Sequence, residues 1–381
     1  GVAYSASIPE VRRLMTEEAL TLHADPEWGP SLLEEPEVWG VESLGNDSVV
    51  VRAVLKTQPG QQWGVARELR ERPMEALLRL CLDAEAKTRA QSGIIQSATC
   101  GYSEIHEEKA IVSSDGARVI TRVARPELRV FAIAAKNGEI QRGVETSGVT
   151  GGWQCLFTRG TAESMGERAA QKAIELLDAE RPNGGRSVVI LSPALVGMLV
   201  HEAVGHTVEA DFVLAGSVAR GRIGTRVASD FVTLEDSGRS EFLPGAGGQV
   251  DVDDEGVPPQ RTTIIENGIL KSYLHDRETA AHFGVAPTGN ARAWEYDNEP
   301  LIRMRNTYIA AGPHTPEALI ASVDRGLYCK SMGGGSVGPT GQFNFAVEEG
   351  YLIENGQLTK PVKGATLIGE AKEVMPRISM C

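Results

Sequence analysis

Val188-Val189-Ile190-Leu191-Ser192-Pro193-Ala194-Leu195-Val196-Gly197-Met198-Leu199-Val200-His201-Glu202-Ala203-Val204-Gly205-His206 passes from an apolar run into a polar cluster near the middle of the chain. Val188 to Leu191 reads as a buried strand. Pro193 is suited to open a helix that carries Leu195, Val196, Met198, Leu199 and Val200. His201 and Glu202 follow directly, so the helix delivers them close to the core, where unpaired polar groups are costly. Two imidazoles with a carboxylate beside the first are the parts of a hydrolytic zinc site. The imidazoles hold the metal and the carboxylate activates the attacking water.

The two histidines lie five positions apart rather than four. On a regular α-helix five residues turn through about 500°, which leaves the side chains about 140° apart. A single π-turn or an unwound turn brings i and i+5 together, and Gly205 is the residue at which distortion costs least. The competing reading is a helix whose histidines are merely packed or capped.

Composition frames these choices. With 381 residues the chain is too long for one ordinary core, so two or three domains are expected. Hydrophobic residues make up 41%, aromatics only 5%, and there are 42 glycines, which suits a globular protein rich in turns. The net charge of −13 argues against a nucleic-acid-binding surface. Arg220, Arg222 and Arg226 lie close together, as do Arg303 and Arg305. They fit a solvated face or a groove for peptide carboxylates. Five widely spaced cysteines without a CxxC pattern do not form a disulfide framework and fit a reducing cytosol. No apolar stretch reaches the length of a membrane span, and no signal peptide opens the chain, so a cytoplasmic location is expected.

Three segments emerge along the chain. In residues 1–72, Ile8 to Leu22 has helical spacing. Two strands, Val38 to Leu44 and Ser48 to Lys56, flank the hairpin signal Gly45-Asn46-Asp47, and a polar helix from Gln62 stops at Pro73. Residues 73–183 carry a helix from Met74 to Ala90 with Leu77, Leu78, Cys81 and Leu82 on one side. Strands at Ile94–Glu107, Ala110–Val123 and Glu127–Lys136 follow, with hairpin-type turns at Asp115-Gly116 and Asn137-Gly138, then a Gly-rich loop from Gly143 to Gly152 and a helix from Ala162 to Glu180. Residues 184–381 begin with the strand and the His-Glu helix and become turn-rich. Asp253 to Gly256, Glu266-Asn267-Gly268 and Glu354-Asn355-Gly356 separate strands such as Thr262–Ile265, Phe343–Val347 and Gly350–Ile353. Tyr273–His282 and Pro316–Gly326 read as helices. Gly333, Gly334 and Gly335 form either a flexible turn or an edge that an extended peptide approaches. The fold class is α+β: a mixed α/β N-terminal region, then a strand-rich, largely antiparallel C-terminal domain carrying the HExxxH helix.

From about residue 74 onward the chain resembles the TldD/PmbA family of metallopeptidases. The matching residues are His201 to His206 with Glu209, Asp211 and Phe212; Asp253 to Gly256; Ile265 to Gly268; Gly284 to Asn290; Arg303-Met304 with Asn306-Thr307-Tyr308; Gly333 to Gly335; and Lys360 to Gly369. The resemblance implies the catalytic, TldD-like subunit. His201 and His206 would bind one zinc ion, Glu202 would act as general base, and the substrate would be an unfolded peptide; read from the residues themselves, Arg303 and Gly333 to Gly335 are the candidates to hold it. A TldE/PmbA-like subunit of similar fold would be the partner, or the chain would form a homodimer. The activity implied is peptide maturation or degradation. In the family a cysteine beyond the position of Ser379-Met380 supplies the third ligand, and Cys381 aligns before it. Cys381, Glu209, Asp211 or a partner residue is left to complete the shell or to orient an imidazole.

Residues 1–72 instead resemble the cytosolic part of small-conductance mechanosensitive channels. The stretches that carry this are Gly1 to Tyr4, Asp25 to Pro30, Pro36 to Val41, Pro59 to Trp63 and Val65 to Arg70. The chain thus reads as a join of two incomplete pieces, with the first third of a TldD-like N-terminal domain missing. The alternatives to an active peptidase are a catalytically inactive subunit with an incomplete metal site, and a channel module that forms a homo-oligomeric ring.

Overall fold

A computed structural model of the chain describes residues 8–44, 49–59, 61–158, 160–240, 242, 246–337 and 341–381. The Gly1 to Tyr4 stretch and the Gly45-Asn46-Asp47 turn lie outside these residues. The first unit packs helix α1 (Ile8–His23) on an antiparallel pair, β1 (Glu37–Leu44) and β2 (Val49–Val54). Its core is small: Leu22 and Leu32, with Trp28 and Leu55 against them. Helix α2 (Gln62–Arg89) then runs without interruption through position 73, where a stop was expected. A proline interrupts one rung of the helical ladder, at a cost of about 3 kcal/mol. Strong helix formers on both sides (Glu68, Leu69, Arg70 and Met74, Glu75, Ala76) carry the helix across it.

The central unit is a three-stranded antiparallel sheet of β3 (Ile95–Val112), β4 (Arg118–Lys136) and β5 (Glu139–Gly148), covered by α2 and α3 (Ala162–Leu177). Two long strands replace the three shorter ones expected. The only breaks fall where the chain turns, at Gly116 (φ 104°) and at Asn137-Gly138 (φ 53° and 82°). The latter has the positive φ at both positions that a tight hairpin needs. Alanine-rich α3 buries Ala169, Ala170, Ala173 and Leu177 against Leu128, Val130 and Ala132. Of the Gly-rich stretch expected as a loop, residues 143–148 belong to β5, and only 149–152 lie outside strand and helix. A Cβ on Gly143 would overlap the carbonyl oxygen of Ala169, so this glycine lets α3 lie directly on the strand. On α2, Leu80, Cys81 and Ala84 face the core, whereas Leu78 and Leu82 are exposed. The position of α3, not the local pattern, selects the buried face.

The C-terminal unit contains two larger sheets. One has the order β15-β14-β13-β6, with β6 (Val188–Leu191) parallel to β13 (Arg325–Val337). β14 (Gln342–Glu354) pairs antiparallel with β13, β15 (Gln357–Val362) and β16 (Ala365–Glu370). The second is antiparallel throughout: β12 (Asn306–Ile309), β7 (Leu234–Ser237), β8 (Arg261–Glu266) and β9 (Ile269–Leu270). The turns at Asn267-Gly268 and Asn355-Gly356 again place both residues at positive φ. β10 (Ala291–Arg292) and β11 (Leu301–Ile302) form a small hairpin. Both expected helices shorten, to α6 (Arg277–Phe283) and α7 (Pro316–Ala321). Asp276 starts α6 by accepting from the Thr279 amide, a capping signal stronger than the apolar spacing before it. β6 was expected to be buried. It is an edge strand, with Val188 56% and Val189 37% exposed.

Between the two sheets lies α4 (Pro193–Val200), capped by the Ser192 hydroxyl, which accepts from the Leu195 amide. Leu195, Leu199 and Val200 each enter a different hydrophobic cluster. Those three residues seat the helix in the core, while Pro193, Ala194 and Met198 stay exposed, Pro193 and Met198 along a broad cleft. Among the described residues no helix is long and apolar enough to cross a membrane.

Candidate metal centre

His201 to Gly205 form a π-helical turn directly after α4. The His206 amide donates to the carbonyl of His201, five residues back. This is the distortion that the spacing of the histidines requires. It brings the imidazoles together with ring centroids 5.0 Å apart and planes at 86°. Glu202 joins them: its Oε2 is 3.9 Å from His206 Nε2. The ligand atoms of His201, Glu202 and His206 all lie within 4.8 Å of one another. Ligand bonds to zinc of about 2.0–2.2 Å are then reached by small side-chain adjustments. Gly205 itself has ordinary helical angles (φ −54°, ψ −54°), so it does not ease the turn. A Cβ there would overlap the sulfur of buried Met304.

The two imidazoles are held differently. His206 Nδ1 is 3.0 Å from Glu209 Oε2, whose side chain is wholly buried at the start of α5 (Ala210–Leu214). Donation from Nδ1–H to Glu209 leaves Nε2 free to face Glu202. The same contact raises the pKa of His206 above the ordinary imidazole value. His201 has no hydrogen bond to its ring among the described residues. Burial, and then the neighbouring His206, lower its pKa and favour the neutral ring that a metal ligand needs.

The other expected site residues are distributed as follows. Glu209 meets the Nδ1 side of His206 and contributes no atom to the His201–Glu202–His206 group. Asp211 accepts from the Phe212 amide at 2.8 Å and lies outside the cluster. Cys381 lines the same broad cleft as His201 and Glu202 but contributes no ligand atom to their group. Its carbonyl accepts from the His314 amide at 3.1 Å. Arg303 Nη1 is 3.7 Å from Glu209 Oε2 and donates to the Ile302 carbonyl at 2.7 Å. Gly333 to Gly335 lie within β13. A Cβ on Gly335 would overlap the ring of Phe345, which packs with Leu199 and Ala203 under the π-turn.

Sequence reasoning missed the support behind the cluster. Asp236 on β7 is fully buried, and both its oxygens are engaged. Oδ2 accepts from Arg305 Nε at 2.9 Å and Asn290 Nδ2 at 2.8 Å. Oδ1 accepts from the Arg305 amide and Thr307 Oγ1, each at 2.8 Å. Arg305 is likewise wholly buried, so it is no part of a basic groove. Arg226 pairs with Asp230, and Arg222 bonds to Thr225 and to the Arg226 carbonyl. Asn290 and Thr307 were visible as motif residues, but their common partner is distant in sequence and carries no local signal.

The model of the PmbA/TldA metallopeptidase C-terminal domain matches residues 184–381, and that of the central domain of the same group matches residues 67–177. Residues 1–80 match the C-terminal region of the mechanosensitive ion channel MscS. The chain is 37% identical to a metalloprotease TldD homolog of Haemophilus influenzae over 83% of its length and 67% of the relative's. It is 34% identical to a zinc metalloprotease TldD homolog of Saccharolobus solfataricus over 73% of its length and 62% of the relative's. The chain thus spans roughly two thirds of these relatives. In fold it is similar to TldE from Thermococcus kodakarensis, with TM-score 0.66 and 17% identity over 91% of this chain and 88% of that one.

Proposed function

The chain belongs to the PmbA/TldD metallopeptidase family, and on that premise we propose that it is a zinc-dependent peptide hydrolase with Glu202 as general base and His201 and His206 as ligands. The observation that carries this reading is the convergence of these three side chains across a π-turn. The donor set fits zinc: two imidazoles, one with its other nitrogen already committed to a buried carboxylate, and one acidic group, Glu202, beside them. Bound there, zinc supplies Lewis-acid polarisation of the scissile carbonyl and a lowered pKa for the attacking water.

The chain's own residues do the rest. Glu202, half-buried at the cleft wall, takes the proton from the attacking water and passes it to the leaving nitrogen. Glu209 fixes the tautomer and orientation of His206. The edge of β13 beyond Cys329 is not paired with β6, and the Gly333 to Gly335 segment there is suited to an extended, unfolded peptide. The partner in this reading is a TldE/PmbA-like subunit or a second copy, and the setting is peptide maturation or degradation in the cytoplasm.

In Glu202→Ala, cleavage of an unstructured peptide is expected to fall by roughly 10²–10⁴-fold while zinc stays bound. Cleavage at the parental rate would overturn the mechanism. A second reading is favoured by one observation: the described cluster offers two imidazoles and only one further acidic group, Glu202. In that reading Glu202 is itself a ligand and the subunit does not hydrolyse peptides. Loss of zinc from Glu202→Gln, together with no activity in the parent, would select it.

A further inference from the structure

Glu209 is unusual in its surroundings. Its side chain is 0% exposed, yet its Oε1 has no hydrogen-bond partner. It stands at the N-cap position of α5 without capping it. Its backbone is fixed instead by a bridge to Leu274: the Ala210 amide donates to the Leu274 carbonyl and the Leu274 amide to that of Val208. A buried carboxylate held this way is costly unless a cation stands by it. Oε2 has two neighbours, His206 Nδ1 at 3.0 Å and Arg303 Nη1 at 3.7 Å.

Arg303 is in turn located by the buried cluster behind the site. Its amide donates to the Asn290 carbonyl, and its carbonyl accepts from Asn290 Nδ2, each at 2.9 Å. The same Asn290 side chain is bonded to Asp236. Arg303 Nη1 is anchored on the Ile302 carbonyl, which turns the guanidinium toward Glu209. Hydrogen bonds thus join Asp236 to Asn290 and Asn290 to Arg303, an ion pair at 3.7 Å joins Arg303 to Glu209, and a hydrogen bond joins Glu209 to His206.

We propose that Arg303 is a positioning residue for the metal centre: it holds Glu209 as the acceptor for His206 Nδ1–H and thereby keeps His206 Nε2 aimed at the ligand cluster. This rests on the reading of His206 as a zinc ligand. It differs from a peptide-holding role, in which Arg303 would act on KM alone.

The test uses the full chain with Arg303→Met, Arg303→Lys and Glu209→Gln, and reads two quantities. The first is zinc affinity, by competition with a chromogenic chelator. The second is the His206 tautomer in the zinc-free protein, by long-range nitrogen–proton NMR. Arg303→Met and Glu209→Gln are expected to weaken zinc binding by roughly 10–100-fold and to mix the Nε2–H tautomer into a parental Nδ1–H population. Arg303→Lys, which keeps the charge, should retain most of both. An Arg303→Met protein with parental zinc affinity and an unchanged tautomer, but a raised KM, would overturn the proposal in favour of peptide binding. If the parent binds no zinc, the metal reading fails. The tautomer comparison then still decides the role of Arg303. Should Arg303→Met not fold, Arg303→Gln replaces it, and parental values there overturn the proposal equally.

Discussion

Gly205 is a glycine because of what lies beside it. Its backbone angles are those of any helical residue, and in a helix alanine is preferred over glycine by about 1 kcal/mol. Gly205→Ala would therefore stabilise an unencumbered helix. Here the added methyl meets the sulfur of Met304, which is 4% exposed and packed with Val204. Overpacking of this kind costs about 1–3 kcal/mol. The expected result is a lower urea midpoint in Gly205→Ala, with weaker zinc binding because His206 is the next residue. Partial recovery is expected when Met304 is also shortened to Ala. A Gly205→Ala protein as stable as the parent would show that Met304 yields freely and that the glycine has another cause.

At the scale of elements the same point decides how much was legible. The Asn-Gly turns at Asn137, Asn267 and Asn355 were readable because positive φ is a demand that the turn residues themselves meet. The π-turn was readable because two histidines that must meet from positions five apart leave few other geometries. The strand identity of Gly143 was not. Glycine there looks like loop chemistry, and only the arrival of α3 shows why no side chain fits. The crossing of α2 and α3 follows the same rule, since a Cβ on Gly166 would overlap Thr88 and the Ala84 carbonyl. The Asp236–Arg305 pair was hidden for a related reason: burial of a charge pair is a property of packing, and Arg305 in sequence looks like any surface arginine. Gly143→Val tests the argument. Valine favours strands, so a free strand would gain. In β5 the side chain must displace α3, and a loss of a few kcal/mol in unfolding free energy is expected, readable as a clear fall in thermal midpoint. A gain would mean that α3 is not seated as described.

Over the whole molecule, the central sheet is fastened to the C-terminal unit at both ends. At one end Lys109 reaches Asp254 at 2.7 Å and Arg277 pairs with Asp115. At the other, Lys172 on α3 donates to Glu145 at 2.7 Å and lies 3.5 Å from Glu349 on β14, while Lys363 donates to Glu139 and to the Leu177 carbonyl. β14 also carries Phe345 beneath the π-turn, so this second end joins the central unit to the floor of the candidate site. Glu145, inside the central unit, makes the seating of Lys172 dependent on pH. Burial alone would push its carboxyl up, but the bonds from Lys172 and Arg168 outweigh that and hold it below the usual glutamate value. A carboxyl depressed in the folded state binds fewer protons there than when unfolded. Its contribution is thus complete above the ordinary value of 4.5 and is lost as pH falls through the lower folded value. Lys172→Met is expected to be less stable than the parent at neutral pH, with the gap narrowing as the pH drops below that range. Urea midpoints of both proteins across a pH series read this directly. A gap that stays constant with pH would place the effect of Lys172 in packing rather than in its charge.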